Sequence, residues 1–135
     1  MSETAHPSQR EVIAAFESYL RDVEGFAPDR LLAHYDLPCI FILPERSILA
    51  PDAPALTALL NNLLREMQGR GFVRAHAHSL TVEGQDDGLA VLSASLTRYR
   101  ADGSVVDEAK GRYIFRRRAG AWKITAALMH GASGG

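Results

Sequence analysis

LAVLSASLTRYRADGSVVDEAKGRYIFRRRAGAWKITAALMH, residues 89–130, carries the strongest architectural signal in the chain. Leu89–Arg100 alternates apolar and polar residues, Ala-Asp-Gly at 101–103 turns the chain, and Val105–Arg118 runs back. Ala-Gly at 119–120 turns it again, and Trp122–His130 closes a meander. Period-2 alternation broken by glycine-bearing turns is the mark of antiparallel strands.

Upstream, the pattern becomes mostly helical. Ser8 followed by Glu11 is a capping-box pair, and Val12, Ile13, Phe16, Tyr19, Leu20 and Val23 fall on one helical stripe that Gly25 ends. Pro28 opens a shorter helix through about His34. Pro38 stops it, and Cys39–Leu43 reads as a short strand ended by Pro44. Glu45–Ala50 is a connector. A long helix starts near Asp52, buries Leu56, Leu59, Leu60, Leu63, Leu64 and Met67, and stops at Gly69 and Gly71. Phe72–Glu83 is the next strand. Helices gathered early and strands gathered late predict an α+β fold, a curved and mainly antiparallel sheet wrapped around helices with a conical cavity between them. Residues 1–135 read as one domain, with flexible ends at 1–8 and 131–135.

Composition excludes more than it assigns. The formal net charge is −1, which recommends neither nucleic acid nor an anionic membrane as a partner. Arg116-Arg117-Arg118 reads as a solvated strand end, and so do the turn and rim carboxylates Asp86-Asp87 and Asp107-Glu108. The single cysteine, Cys39, lies in an apolar run, as a buried inert thiol does. The polar start carries no leader pattern and no apolar run reaches membrane length, so the expected location is cytoplasmic.

Three segments carry a resemblance to the nuclear transport factor 2-like superfamily, which includes SnoaL-like cyclases, ketosteroid isomerases and scytalone dehydratase. They are Val12–Tyr19, Leu31-Leu32-Ala33-His34-Tyr35, and Gly111–Phe115 followed by Gly120-Ala121-Trp122-Lys123-Ile124. The resemblance covers Val12 to His130 and implies the cone-shaped α+β barrel. Set against the ketosteroid isomerases, it puts Tyr19 at their oxyanion-hole tyrosine, Tyr113 at their oxyanion-hole aspartic acid and His130 at an apolar pocket position. It puts Leu43 where they carry the aspartate that moves the proton. Leucine accepts no proton, so that mechanism is excluded at that position. A tyrosine and histidine set without the carboxylate is more like the dehydratase branch.

Strand parity supplies an independent reading. Trp122, Ile124, Ala126, Leu128 and His130 share one face of the last strand, and Gly111, Tyr113 and Phe115 share one face of the strand before it. Ala90, Leu92, Ala94 and Leu96 form the apolar face of the first strand of the meander. Ser93, Ser95, Thr97 and Tyr99 form the outer face, on which a homodimer is expected. By analogy Arg74, His76, His78, Leu80 and Val82 face inward, an assignment that a one-residue bulge would invert. The candidate catalytic set is therefore Tyr19, His78, Tyr113 and His130, in a pocket of Phe16, Leu43, Leu92, Phe115, Trp122 and Leu128. Each of the four could equally be a core residue with its polar atom satisfied.

His76-x-His78 puts two imidazoles on one strand face, but no third ligand stands at motif spacing, and His34 and His130 could join only through the fold. No metal or cofactor is expected. Two functions remain open. One is binding of a small hydrophobic molecule, with any enzymatic activity being cofactor-free acid–base chemistry of the isomerase, dehydratase or cyclase type. The other is a non-catalytic dimerisation or protein-association module, its cone filled by Phe16, Phe41, Phe115 and Trp122.

Overall fold

The structure, a computed structural model, describes the backbone of residues 7–133 and the side chains of 9–129. Helix α1 (Pro7–Glu24) is followed by the short α2 (Pro28–Leu32), strands β1 (Tyr35–Ile42) and β2 (Ser47–Ala50), and helix α3 (Ala53–Gly69). Four long strands complete the chain: β3 (Phe72–Gln85), β4 (Leu89–Arg100), β5 (Val105–Arg118) and β6 (Ala121–Ser133). The six strands form one curved, unclosed sheet in the order β2-β1-β6-β5-β4-β3. All neighbours are antiparallel except β1 and β6. This is the expected α+β architecture. No helix among the described residues is long and apolar enough to cross a membrane.

Helix α1 buries Val12, Phe16, Tyr19 and Val23, spaced to keep one side of an α-helix against the sheet. Its backbone is already helical at Pro7, so Ser8, expected as the cap, lies inside the helix. Asp52 caps α3 by accepting the Ala55 N–H at 3.0 Å, and Leu56, Leu60 and Leu64 form its buried side. Between β5 and β6, Ala119 (φ 51°) and Gly120 (φ 81°) both take positive φ, as a tight hairpin requires.

Three boundaries differ from the sequence reading. Strand β1 begins at Tyr35 and carries Pro38 within it, its Leu37–Pro38 bond cis, so Pro38 does not mark the end of a helix. The irregular pairing of β1 with β6 between Tyr35 and Ile40 accommodates a residue without an N–H. The segment read as a connector contains β2, which pairs Ser47–Ala50 with Cys39–Ile42. The second helix stops at Leu32 rather than His34.

The core fills the narrow end of the cone. Phe16, Phe41, Phe115, Leu92 and Ile124 are among its fully buried side chains, and Trp122 is 6% exposed. On the outer face Asp36 is ion-paired to Arg116 at 3.1 Å and Arg118 at 3.0 Å. The arginine run is therefore not simply solvated: two of its members neutralise one buried carboxylate. Arg117 lies over the Trp122 ring, whose Nε1–H donates to Glu11 at 3.3 Å.

Candidate functional site

A cavity of about 230 Å³ opens between α1, α3 and the concave side of the sheet. Tyr19, Leu20 and Val23 line it from α1, and Leu60, Leu63, Leu64, Glu66 and Met67 from α3. Leu43 closes the end of β1, continuing the side of the strand that buries Phe41. The sheet contributes Phe72 and Ala75, Leu96 and Arg98, Tyr113 and Met129. The wall is mostly apolar with a few converging polar groups, the usual composition of a small-molecule site.

Two buried phenols, Tyr19 and Tyr113, line its floor, and a third, Tyr35, stands behind Tyr19. The Tyr19 and Tyr35 hydroxyls share a hydrogen bond of 2.8 Å, with the rings edge to face. Tyr113 packs against Phe16 and Tyr19, at centroid distances of 4.7 and 6.2 Å, and its hydroxyl makes no hydrogen bond to a described residue. Gly111 positions that ring. A Cβ at 111 would stand 3.1 Å from the Tyr113 ring and from the Leu128 carbonyl, a tight contact that the ring or the strand would have to yield to by a few tenths of an ångström, so glycine gives the phenol its room.

Burial pushes all three hydroxyls above the ordinary tyrosine range, although Arg98 pulls Tyr19 and Tyr113 part of the way back. Each stays protonated near neutral pH. Each can hand a proton into a hydrogen bond, and none is a base. Cys39 is buried beside them, its thiol pushed up to about 11 by desolvation first and Asp36 second. It is protonated and poorly nucleophilic.

A charged cluster borders the apolar wall. Asp107 on β5 sits 2.9 Å from the Arg70 guanidinium and 3.3 Å from Arg98 Nε. Its carboxylate is nearly buried, with 6% of the side chain exposed, so it is not the solvated rim residue read from the sequence. Asp107 Oδ1 is within ion-pair distance of Arg98 but makes no well-aligned hydrogen bond. Arg98 forms no hydrogen bond to any other described residue and reaches the cavity wall. These residues were legible in principle. Arg98 is in phase with Ala90, Leu92, Ala94 and Leu96, and Asp107 with Gly111, Tyr113 and Phe115. A charge on the buried phase of a strand is a departure that needs a cause.

The expected site residues divide. Tyr19, Tyr113 and Leu43 line the cavity. Phe16, Leu92 and Phe115 lie in the core behind it. Trp122 lies by Glu11, Ser18 and Lys123 in a separate shallow groove. Leu128 is off the concave face. Phe115 pairs with Ile124 but the adjacent Ile114 with Ala126, so Thr125 is the extra residue of a bulge that shifts the alternation and brings Ala127 and Met129 inward. His130 belongs to β6, paired with Lys110, and its side chain lies outside the described residues.

His78 faces away from the cavity. Ala77 pairs with Leu96 and Ser79 with the adjacent Ser95, leaving His78 as the extra residue of a bulge. Ala75 and Ala77 before it, and Leu80 and Val82 after it, all pack on the core. Arg74 and His76 are thereby placed outside. His76 pairs with Thr97, and the His78 ring bonds the Thr97 hydroxyl. Arg74 covers the Tyr99 ring at 4.5 Å. Ser93, Ser95 and Tyr99 are half-buried on this outer face, and Thr97 is buried beneath His78. His34 bonds Asp22 at 2.8 Å. Among the described residues no three His, Cys, Asp or Glu side chains gather as a metal site.

Residues 10–132 match the family described as NTF2-like protein (DUF6841). Solved structures with the same fold include three bacterial proteins. One, from Xanthomonas campestris, is proposed to be a calcium/calmodulin-dependent protein kinase II association domain; it has a TM-score of 0.71 and 16% identity, covering 100% of this chain and 97% of its own. The second is an NTF2-like protein with a cystatin-like fold from Novosphingobium aromaticivorans, with a TM-score of 0.72, 14% identity and coverage of 94% and 83%. The third, from the same organism, is proposed to be a scytalone dehydratase, with a TM-score of 0.69, 13% identity and coverage of 90% and 82%. No curated protein sequence matches the chain.

Proposed function

Because the chain belongs to the NTF2-like family DUF6841, we propose that its cone binds a small hydrophobic molecule bearing an oxygen that accepts a hydrogen bond from Tyr113. The observation that carries this reading is the Tyr113 hydroxyl: protonated, unbonded within the described residues, and on the wall of an apolar cavity of about 230 Å³. An apolar void of ~150 Å³ already takes benzene, so a molecule of one or two fused rings matches the volume. Tyr19, held by Tyr35, is the second donor of the floor.

Binding is favoured over turnover by the composition of the wall. Leu43 stands where the resembling isomerases carry their base, and His78 is outside. Two protonated phenols would still stabilise a developing oxyanion, so a dehydratase or isomerase role requires a base brought by the ligand or by a group beyond the lining named above.

The test is calorimetric titration with 2-acetylnaphthalene, an uncharged ketone. One saturable site is expected, and Ala75→Leu, which adds side-chain volume to the wall, should abolish it. No saturation, or binding that ignores Ala75→Leu, would overturn the reading.

A second reading, a protein-association module, draws on the filled narrow end of the cone, where Phe16, Phe41 and Phe115 leave no space. In either case a homodimer through the outer face at Ser93, Ser95 and Tyr99 is proposed; Thr97, expected there too, is covered by His78. Light scattering at micromolar concentration tests it, and a monomer would count against it.

A further inference from the structure

We propose that the molecule held in this cone is an anion, a carboxylate on a hydrophobic ring system, with its acid group on Arg98 and Tyr113. The inference rests on the small-molecule reading above and narrows it to a chemical class.

The pairing at the polar end leaves one arginine with donors to spare. Arg70 and Arg98 both lean on the single carboxylate of Asp107. Glu66 also lines the wall, but it forms no ion pair with either arginine. Of the two arginines, Arg70 is the outer one, with 46% of its side chain exposed, and it closes on Asp107 Oδ2 at 2.9 Å. Arg98 is the inner one, 21% exposed, and is held only through Nε at 3.3 Å. Its terminal amino groups are left without hydrogen bonds among the described residues. A guanidinium held at Nε presents its Nη edge as a flat pair of donors, the geometry that a carboxylate accepts. Lysine at the same place would be a point charge without that fork.

Tyr113 completes the subsite. Arg98 and Tyr113 both line the cavity, and Arg98 acts electrostatically on the Tyr113 and Tyr19 phenols, so its charge lies close to the floor donors. A carboxylate between them takes the arginine fork on one side and a phenol O–H on the other. Its ring system then fills the space walled by Leu43, Leu60, Leu64 and Met129. Asp107 acts as a positioning residue. It holds Arg98 at Nε and leaves the Nη edge of the guanidinium free to meet a ligand.

The experiment compares 2-naphthoate, an anion, with 2-naphthamide, nearly identical in shape but uncharged, by calorimetry on the full chain at neutral pH. The acid is expected to bind at least about tenfold tighter, the scale of a charge-assisted contact over a neutral one. Raising salt should narrow that gap. Arg98→Gln should bring the acid down to the level of the amide and leave the amide where it was. Should that variant fold poorly, the wild-type comparison alone decides. Equal affinity for acid and amide overturns the anion proposal while leaving the hydrophobic-ligand reading intact, because both bind. Absence of binding by either overturns both. A preference for the acid that survives Arg98→Gln also defeats the assignment.

Discussion

Tyr19 and Tyr113 lie side by side, both buried and both on the wall of the cavity, yet removing their hydroxyls should change stability in different ways. The Tyr19 hydroxyl is bonded to Tyr35 at 2.8 Å, and both residues are at most 7% exposed. Tyr19→Phe therefore leaves the Tyr35 hydroxyl buried and alone. Stranding a buried hydroxyl costs about 1–3 kcal/mol. For a chain of this size, each kcal/mol moves the melting temperature by about 3–6 °C, so a fall of roughly 3–18 °C is expected. Tyr113→Phe removes a hydroxyl that no described residue bonds, so the melting temperature should hold or rise. The double variant Tyr19→Phe with Tyr35→Phe removes both partners and should recover most of the loss, since deleting a whole bonded pair is nearly neutral. Ligand affinity should run the other way. Tyr113→Phe weakens 2-acetylnaphthalene by about 2- to 12-fold, the worth of one neutral hydrogen bond. Thermal unfolding by circular dichroism, alongside calorimetric titration, reads both quantities. If Tyr113→Phe destabilises the free protein as much as Tyr19→Phe, its hydroxyl already has a partner within the fold and the argument for an available donor fails.

Gly111→Ala forces a Cβ to within 3.1 Å of the Tyr113 ring and of a backbone carbonyl on β6. It should cost about 1–3 kcal/mol in urea unfolding and displace the phenol, weakening 2-acetylnaphthalene as well; unchanged affinity would show that the ring position is not set there. Burial works to raise the Asp36 carboxyl, but the Arg118 and Arg116 contacts outweigh it and hold the carboxyl below the ordinary carboxylate range. Its contribution is thus complete above the unfolded value of ~3.9 and fades as pH falls through the lower native value. Asp36→Asn should flatten that part of the stability–pH curve, and an unaltered acid limb would exclude the pairing as its source. His78→Ala, on the outer face, should leave 2-acetylnaphthalene affinity within twofold of wild type. A large loss would return His78 to the cavity.

What the sequence discloses follows the reach of each signal. The hairpin of β5 and β6 and the leucine side of α3 are written locally, in alternation, helical spacing and the Ala119-Gly120 turn, and they emerge as read. Strand β2 is not legible because four residues, two of them apolar and half-buried or less, carry no periodicity of their own; pairing with β1 makes them a strand. The site divides along the same line. Tyr19 and Tyr113 follow from helical and strand phase. The orientations of His78 and Leu128 turn on single extra residues in β3 and β6, and a bulge is set by the partner strand, not by the strand that carries it. Asp107, read as a rim carboxylate, and Arg98, not singled out, differ for another reason: their phase marks them as buried, but their charge suggests the surface.

The open sheet has one more consequence, at its two rims. Strand β2 is four residues long, and β3 departs from regular register at three places. Neither offers the long straight row of free N–H and carbonyl groups that an incoming strand needs to zip alongside. Arg74 and Glu83 line the outside of β3 and add charge against such docking. The same irregularity that turned His78 outward thus guards the chain against edge-to-edge growth into fibrils. The homodimer proposed above uses the broad outer surface instead, where contact can close on itself and stop.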